Sequence, residues 1–361
     1  MVNKKFSGWS RFAAHPAIGA STLHRLRQYF EDSAAVQKST RAALHRLGLD
    51  DKLCTAIVEQ QRQEIGPIEA NLDRFGIQFI WYDDPVYPEQ LKTIPDPPAC
   101  LYVRGEITPS TPSIAVVGSR KATNYGRQVA GELTRDLAAA GLTIVSGLAF
   151  GIDAMAHQAT LDVGGRTIAV LANGLDEIYP TTHRALGREI VAKGGALVSE
   201  FPPGTPPLRH HFPIRNRIIA GLSLGTLVIE AAEESGSLLT ARSAIEAGRD
   251  VFAVPGPITS PLSAGPHGLI RLGAKLTMNA GDILDELRLG DLTEQRMTRS
   301  IVADSELEAI LLAQLTHEPI QLDDLVRQTE LPAAEVSGAL LLMEMKGKVR
   351  NLGAQQYVLG R

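Results

Sequence analysis

Residues 113–153 read SIAVVGSRKATNYGRQVAGELTRDLAAAGLTIVSGLAFGID, and this stretch decides the fold class. Ile114 to Val117 is a continuous apolar run of strand length that stops at Gly118, and Tyr125 to Ala140 follows as a helix. A second apolar run, Leu142 to Val145, leads into the small-residue turn Ser146-Gly147-Leu148-Ala149-Phe150-Gly151 and then a helix from Ile152 to Val163. Continuous apolar strands, each followed by an amphipathic helix, describe a parallel sheet covered on both faces.

The same cycle extends outward. Strands are expected at Thr167 to Leu171, Ala196 to Ser199, Thr226 to Ile229 and Val251 to Val254. Helices are expected at His183 to Ala192, within Leu208 to Ser223, and at Leu238 to Ala247. Upstream, Ile77 to Tyr82 is β-like and Asp84 to Gly105 is an extended lead-in. The fold class is therefore α/β: an extended Rossmann-like, doubly wound, mostly parallel sheet over residues 66–290.

Two modules flank it. Residues 1–65 read as an all-α module in which Ser21 caps a helix bearing Leu23, Leu26 and Phe30, and Thr40 caps one bearing Leu44 and Leu47. Its turn His15 to Ala20 is similar to a helix-hairpin-helix loop, whose backbone N–H groups can hold a phosphate; packing alone also accounts for these helices. Residues 291–300 read as a linker and 301–361 as a winged helix, with a Ser305/Glu308 capping box, helices at Leu322 to Gln328 and Ala333 to Lys346, and a β-wing from Val349 to Leu359. Glu335 and Glu344 lie on its would-be recognition helix, which favours a protein-contact or packing role over groove reading.

Composition narrows the function classes. A formal charge of -4 over 361 residues excludes a globally basic coat, so any anion site must come from local segregation of charge. Two cysteines, Cys54 and Cys100, match no metal or redox spacing, which fits a reduced, cytoplasmic setting. No apolar run approaches the ~20 residues of a membrane span.

Local charge is segregated twice. From Phe201 to Ile229 no carboxylate occurs, and Arg209, His210, His211, Arg215 and Arg217 surround Phe212. Such a stretch suits single-stranded nucleic acid, or else it is a helix start with solvated arginines and a core Phe212. From Ile107 to Gly131 there is again no acid, while Arg120, Lys121 and Arg127 follow a strand end. Ligands of open α/β sheets collect at the carboxyl ends of the strands, so Gly118-Ser119-Arg120 is a candidate anion site built on free N–H groups and a helix dipole. Glu234 to Leu238 offers a second small-residue helix entry. Neither dinucleotide nor P-loop spacing is present, so no cofactor is expected. Gly221 to Gly225 mimics a nucleophile elbow, but Ser223 follows a helix instead of a strand. Asp153 and His157 stand one helical turn apart without a third ligand and are read as structural, and His210-His211 as basic surface; no metal site is expected.

Taken in order, several motifs resemble the DNA-processing protein A (DprA/Smf) family. They are Gly118-Ser119-Arg120, Ser146 to Asp153 with His157, Gly174-Leu175-Asp176 with Tyr179-Pro180, Ser199-Glu200, Phe212 to Ser223, Ser235-Gly236-Ser237 and Val254-Pro255-Gly256, spanning roughly residues 85 to 285. The resemblance implies a cytoplasmic single-stranded-DNA-binding mediator, not an enzyme. Such a protein loads the RecA recombinase in competition with single-strand binding protein and protects incoming DNA in natural transformation. It also implies DNA contacts at Arg120, Arg209, Phe212 and Arg215. With the strand-end and basic residues, the expected site is Gly118, Ser119, Arg120, Lys121, Ser146, Gly147, Arg209, Phe212, Arg215, Arg217, Ser235 and Gly236. A homodimer is implied through Gly265 to Leu276, with His267, Leu269, Ile270 and Leu272 at the contact. The competing enzymatic reading is a nucleotide-processing phosphoribohydrolase, whose glycine-rich phosphate loop Glu234 to Leu238 does not reproduce.

Overall fold

Because the strands expected between Ile114 and Val254 are continuous apolar runs, they are stable only inside a covered sheet, and that is where they lie. The structure is a computed structural model describing residues 6–108, 111–289, 304–315, 320–329, 331–346, 348–353 and 355–359. It divides into two units, residues 1–287 and 288–361. The linker expected at 291–300 lies outside the described residues.

In the first unit the strands are β1 (Gln78–Trp81), β2 (Cys100–Gly105), β3 (Ser113–Gly118), β4 (Thr143–Ser146), β5 (Thr167–Val170), β6 (Ala196–Ser199), β7 (Gly225–Ile229), β8 (Asp250–Ala253) and β9 (Lys275–Leu276). Their order in the sheet is β1-β2-β6-β5-β4-β3-β7-β8-β9. From β6 to β9 every pairing is parallel, and the edge pair β1 and β2 runs antiparallel. Ile114 of β3 sits opposite both Ile144 of β4 and Gly225 of β7. The chain winds from β3 through β4, β5 and β6 to one side and from β7 through β8 and β9 to the other. Loops leaving β3 and β7 diverge, opening a crevice at their carboxyl ends.

The alternation of side chains along each strand feeds two cores. On one face Ile80, Leu101, Val117, Val145, Val170 and Val198 pack with Ile218, Ile219 and Ala241. On the other, Phe79, Trp81, Tyr102, Ala169 and Leu197 join Trp9, Phe12, Leu26, Leu44 and Ile57 of the N-terminal helices in one cluster. Trp9 stacks on Trp81 with ring centroids 4.5 Å apart and planes 6° from parallel. The N-terminal helices therefore share a core with the sheet.

Six helices, Ser7–Ala13, Ala20–Tyr29, Ser33–Gln37, Arg41–Arg46, Asp51–Gln61 and Gly66–Phe75, make that layer. Thr40 caps its helix through Ala43 N–H, as expected. Ser21 does not: Gly19 is the N-cap and Ser21 falls inside the first turn. Asp32 and Asp50 cap two helices that the apolar spacing does not announce.

The second unit carries helices Glu306–Gln314, Leu322–Thr329 and Ala333–Met345 with a sheet of β10 (Ile320–Gln321), β11 (Val349–Gly353) and β12 (Gln356–Leu359), the arrangement of a winged helix. Ser305 caps its helix by accepting from Glu308 N–H at 3.1 Å. The reciprocal half of the expected capping box is absent, because the buried Glu308 carboxylate accepts from Asp304 N–H and from Lys346 and Lys348 instead. Two of the unit's lysines are thereby held by acids. No helix among the described residues is long and apolar enough to cross a membrane.

Replacing Trp9 with alanine removes a stacked, buried ring from the shared core and is expected to cost about 3–5 kcal/mol in urea unfolding. A loss below about 1 kcal/mol would show that the helical layer and the sheet do not share their stability.

Candidate nucleic-acid interface

The crevice at the end of β3 is fixed by a glycine. A Cβ on Gly118 would stand 1.9 Å from the Ile229 carbonyl oxygen, so only glycine lets β3 end this close to β7. Beyond it Ser119 N–H donates to Glu230 O at 2.7 Å, and Lys121 N–H donates to Ser119 Oγ at 3.1 Å. The helix Asn124–Ala139 starts at Thr123, whose hydroxyl accepts from Gly126 N–H. The buried Glu230 carboxylate accepts from Thr123 N–H at 2.8 Å and from the Thr123 hydroxyl. A carboxylate of the chain itself thus occupies the helix entry that the sequence reading offered to a phosphate. What this turn leaves to solvent is the exposed Arg120 and Lys121.

Next to this turn the loop after β4 is held from below. Asp153, buried in the first turn of helix Ile152–Asp162, accepts from Gly147 N–H at 3.1 Å and Ala149 N–H at 3.3 Å. Burial raises the Asp153 pKa, and the Arg215 charge opposes that rise. Arg215 is only 4% exposed. Its guanidinium donates to Gly147 O at 2.8 Å, to Val170 O and to Asn216 Oδ1 at 3.2 Å. Burial drops its pKa to about 10, which Asp153 counters and Arg120 reinforces, so it stays charged at neutral pH. Gly147 is required here, since a Cβ would lie 2.6 Å from that guanidinium. Ser146 is a strand tie, donating its hydroxyl to Val116 O at 2.6 Å.

The outcome is an open cleft of about 910 Å³ across the strand ends, lined by Gly118, Ser119, Arg120, Lys121, Arg209, Phe212, Arg215, Ser235 and Gly236 among others. The exposed Arg120 guanidinium carbon lies 5.3 Å from the Phe212 ring centroid, and the buried one of Arg215 lies 5.9 Å from it. Tyr179 meets Phe212 edge-on at 6.1 Å. On the far rim Ser235 caps helix Gly236–Glu246, and Gly236 has open space where a Cβ would be. Asn216 links the two sides by donating to Gly236 O at 3.2 Å.

Arg217 goes elsewhere. It points away from this cleft, pairs with both oxygens of Glu200 at 2.8 and 2.7 Å, and reaches Asp96 at 3.2 Å. With His210 and the turn His15 to Ala20 it lines a second cleft of about 840 Å³ on the other side of the segment Pro206 to Phe212. His157 is buried beside the site: Thr167 gives its hydroxyl hydrogen to Ile144 O, so it accepts from His157 Nδ1–H at 2.7 Å. Among the described residues no cluster of His, Cys, Asp and Glu could hold a metal ion.

His267 contacts Gly256 O at 3.0 Å from helix Ala264–Arg271, while Leu269 packs against the core and Ile270 is half-buried. Leu272 is 85% exposed and stands beside the exposed edge strand β9 and Met278. Sequence reading assigned no role to Tyr179 or Glu230. Tyr179 sat in a recognised motif without a chemistry, and no local pattern reveals that Glu230 serves a turn 107 positions earlier.

Residues 78–288 match a family model described as DNA recombination-mediator protein A, and residues 295–355 match one described as the DprA winged helix domain. The chain is 46% identical to Protein Smf of Escherichia coli (strain K12), covering 94% of this chain and 92% of that protein. It is 43% identical to the DNA processing protein DprA of Bacillus subtilis over 71% of this chain and 84% of the relative. Among solved structures, DNA processing protein A from Streptococcus pneumoniae superposes with a TM-score of 0.67 at 35% identity, covering 79% of this chain and 99% of that one. DNA processing protein A from Helicobacter pylori, described for its unique single-stranded DNA binding mode, superposes at 0.51 with 31% identity, covering 56% and 93%.

Burial, helped by the charges of His183 and Arg215, holds the His157 pKa at about 3 against 6.5 in the unfolded chain. A depressed pKa contributes stability in full above about pH 6.5 and loses it as the pH falls toward 3, at up to about 1.4 kcal/mol per unit. Urea unfolding at pH 7.5 and 5.0 should show this loss, and His157→Gln should flatten it. Parallel profiles for the two proteins would refute the assignment.

Proposed function

The chain belongs to the DNA recombination-mediator protein A family, and from that premise we propose that it binds single-stranded DNA in the strand-end cleft as a recombination mediator. The observation that carries this reading is the exposed Arg120 guanidinium beside a half-buried Phe212 ring at the mouth of an open cleft. A flat π-face holds any base, and an adjacent free cation holds the phosphate next to it. Arg209 and Lys121 add exposed positive charge along the same rim. Ser235 and Gly236 offer a hydroxyl and an unobstructed backbone approach opposite. Arg215 acts through position: its buried charge shapes the floor and lies under the ring that stacks. Arg217, spent on Glu200, supports the second cleft.

As mediator the protein loads the RecA recombinase onto the strand it holds, in competition with single-strand binding protein, and shelters incoming DNA during natural transformation. Binding along one face by stacking and phosphate contacts suits this role, because it leaves the strand uncut and available for transfer. The related protein of Helicobacter pylori, described for single-stranded DNA binding, supports the substrate class. Homodimerisation through the far edge of the sheet is supported by Leu272, Leu276 and Met278, apolar side chains left exposed around the short edge strand β9.

Titrating a fluorescent oligothymidylate across a salt series tests the site. Phe212→Ala is expected to weaken binding about 5- to 100-fold, the worth of one stacked base. Arg120→Glu should weaken it and reduce the salt slope. Unchanged binding in both variants would contradict the assignment. Sedimentation tests the dimer: Leu272→Asp should leave a monomer, and an unaltered dimer would place the contact elsewhere.

A further inference from the structure

Four aromatic side chains are exposed among the described residues: Tyr29, Tyr125, Phe150 and Tyr179. Tyr125 has a structural reason, since its hydroxyl donates to Pro255 O at 2.7 Å. Phe150 and Tyr179 share a different setting, in the loops that follow β4 and β5, the strands next in line after β3 on one side of the crevice. Ala149, next to Phe150, and Tyr179 both line the cleft at these strand ends.

Both rings stand on loops that cannot easily turn them inward. The loop bearing Phe150 is fastened by Asp153 to Gly147 and Ala149 N–H, and by Ile152 N–H to Ser119 O at 3.2 Å. His183 donates Nδ1–H to Leu148 O at 2.9 Å and presents its own ring edge-on to Phe150 at 5.0 Å. Near Tyr179 the buried Asn173 amide donates to Gly174 O and Glu177 O, and Ile178 and Pro180 on either side are buried. An aromatic ring held rigidly in water, 47% exposed for Phe150 and 42% for Tyr179, is a platform rather than a frayed core residue. Tyr179 also touches the ring already assigned to DNA, Phe212, at 6.1 Å. Neither loop, residues 147–151 or 171–180, carries a lysine or arginine, and Arg184 just beyond pairs with Glu177 at 2.7 Å.

We propose that Tyr179 and Phe150 extend base stacking beyond Phe212, forming an aromatic track along the carboxyl ends of β5 and β4 for successive bases of a single strand leaving the cleft. The proposal rests on the strand-end cleft being the DNA site. Without a free cation, the track takes bases and not phosphates. It adds affinity with strand length and adds little to the salt slope.

The test uses the full chain and oligothymidylates from about 4 to about 16 nucleotides, the range of known single-strand sites. Phe150→Ala should match the wild type on the shortest strand, and Phe150→Ala and Tyr179→Ala should each bind the longest about 5- to 100-fold more weakly, with the salt slope unchanged. Tyr179→Phe, which keeps the ring, should bind like the wild type. A 2-aminopurine placed past the base on Phe212 should lose its stacking quench in Tyr179→Ala. Wild-type binding of long strands by both alanine variants, or equal loss in Tyr179→Phe, would overturn the track while Phe212→Ala still reports on the cleft. Failure of the wild type to bind any strand would remove the cleft reading and the track together.

Discussion

The buried guanidinium of Arg215 is the interaction on which the arrangement depends. One side chain on helix His211–Gly221 reaches the end of β5 at Val170 and the loop after β4 at Gly147, beside the Asp153 carboxylate that holds the same loop. A charge with so little exposure persists only because carbonyls and a carboxylate surround it, and removing such a partner from a buried pair costs about 3–5 kcal/mol. The geometry explains the glycine at position 147, where a methyl group would collide with it. It also explains why Phe212, three residues earlier on the same helix, is presented at a defined height over the strand ends.

From that constraint follows an economy of charge. The protein carries a formal charge of -4, and near the cleft most ionic groups are already matched: Arg217 by Glu200 and Asp96, Arg184 by Glu177, the Thr123 helix entry by Glu230. Arg120, Lys121 and Arg209 remain exposed on the cleft rim. A few unspent cations beside an aromatic ring suit the single-stranded DNA proposed for this cleft, since each phosphate contact adds both affinity and salt sensitivity. In the second unit Lys346 and Lys348 are held by Asp304 and Glu308.

The sheet was legible in the sequence because a strand buried on both faces has no alternative to a continuous apolar run, and β3 to β8 all show it. The Gly118 turn was legible for a related reason: small residues at a strand end mark close backbone approach. What the sequence hid was everything carried by distant partners. An acid-free window from Phe201 to Ile229 suggested five available bases around Phe212, yet Glu200 and Asp96 arrive from outside it to claim Arg217, and burial claims Arg215. Glu308 looked like half of a capping box and instead gathers two lysines from the other end of its unit. Local windows count charges, whereas the fold decides which of them are spent.

On the proposed reading, a single strand lies across the carboxyl ends of the parallel strands, on Phe212. Photocrosslinking a bromodeoxyuridine-substituted oligonucleotide to the full chain and mapping the adducts by mass spectrometry tests it most directly. Adducts are expected within residues 207–217 and 118–121, lost when unlabelled single strand competes. Adducts confined to residues 304–359, or to the helices before residue 75, would contradict it.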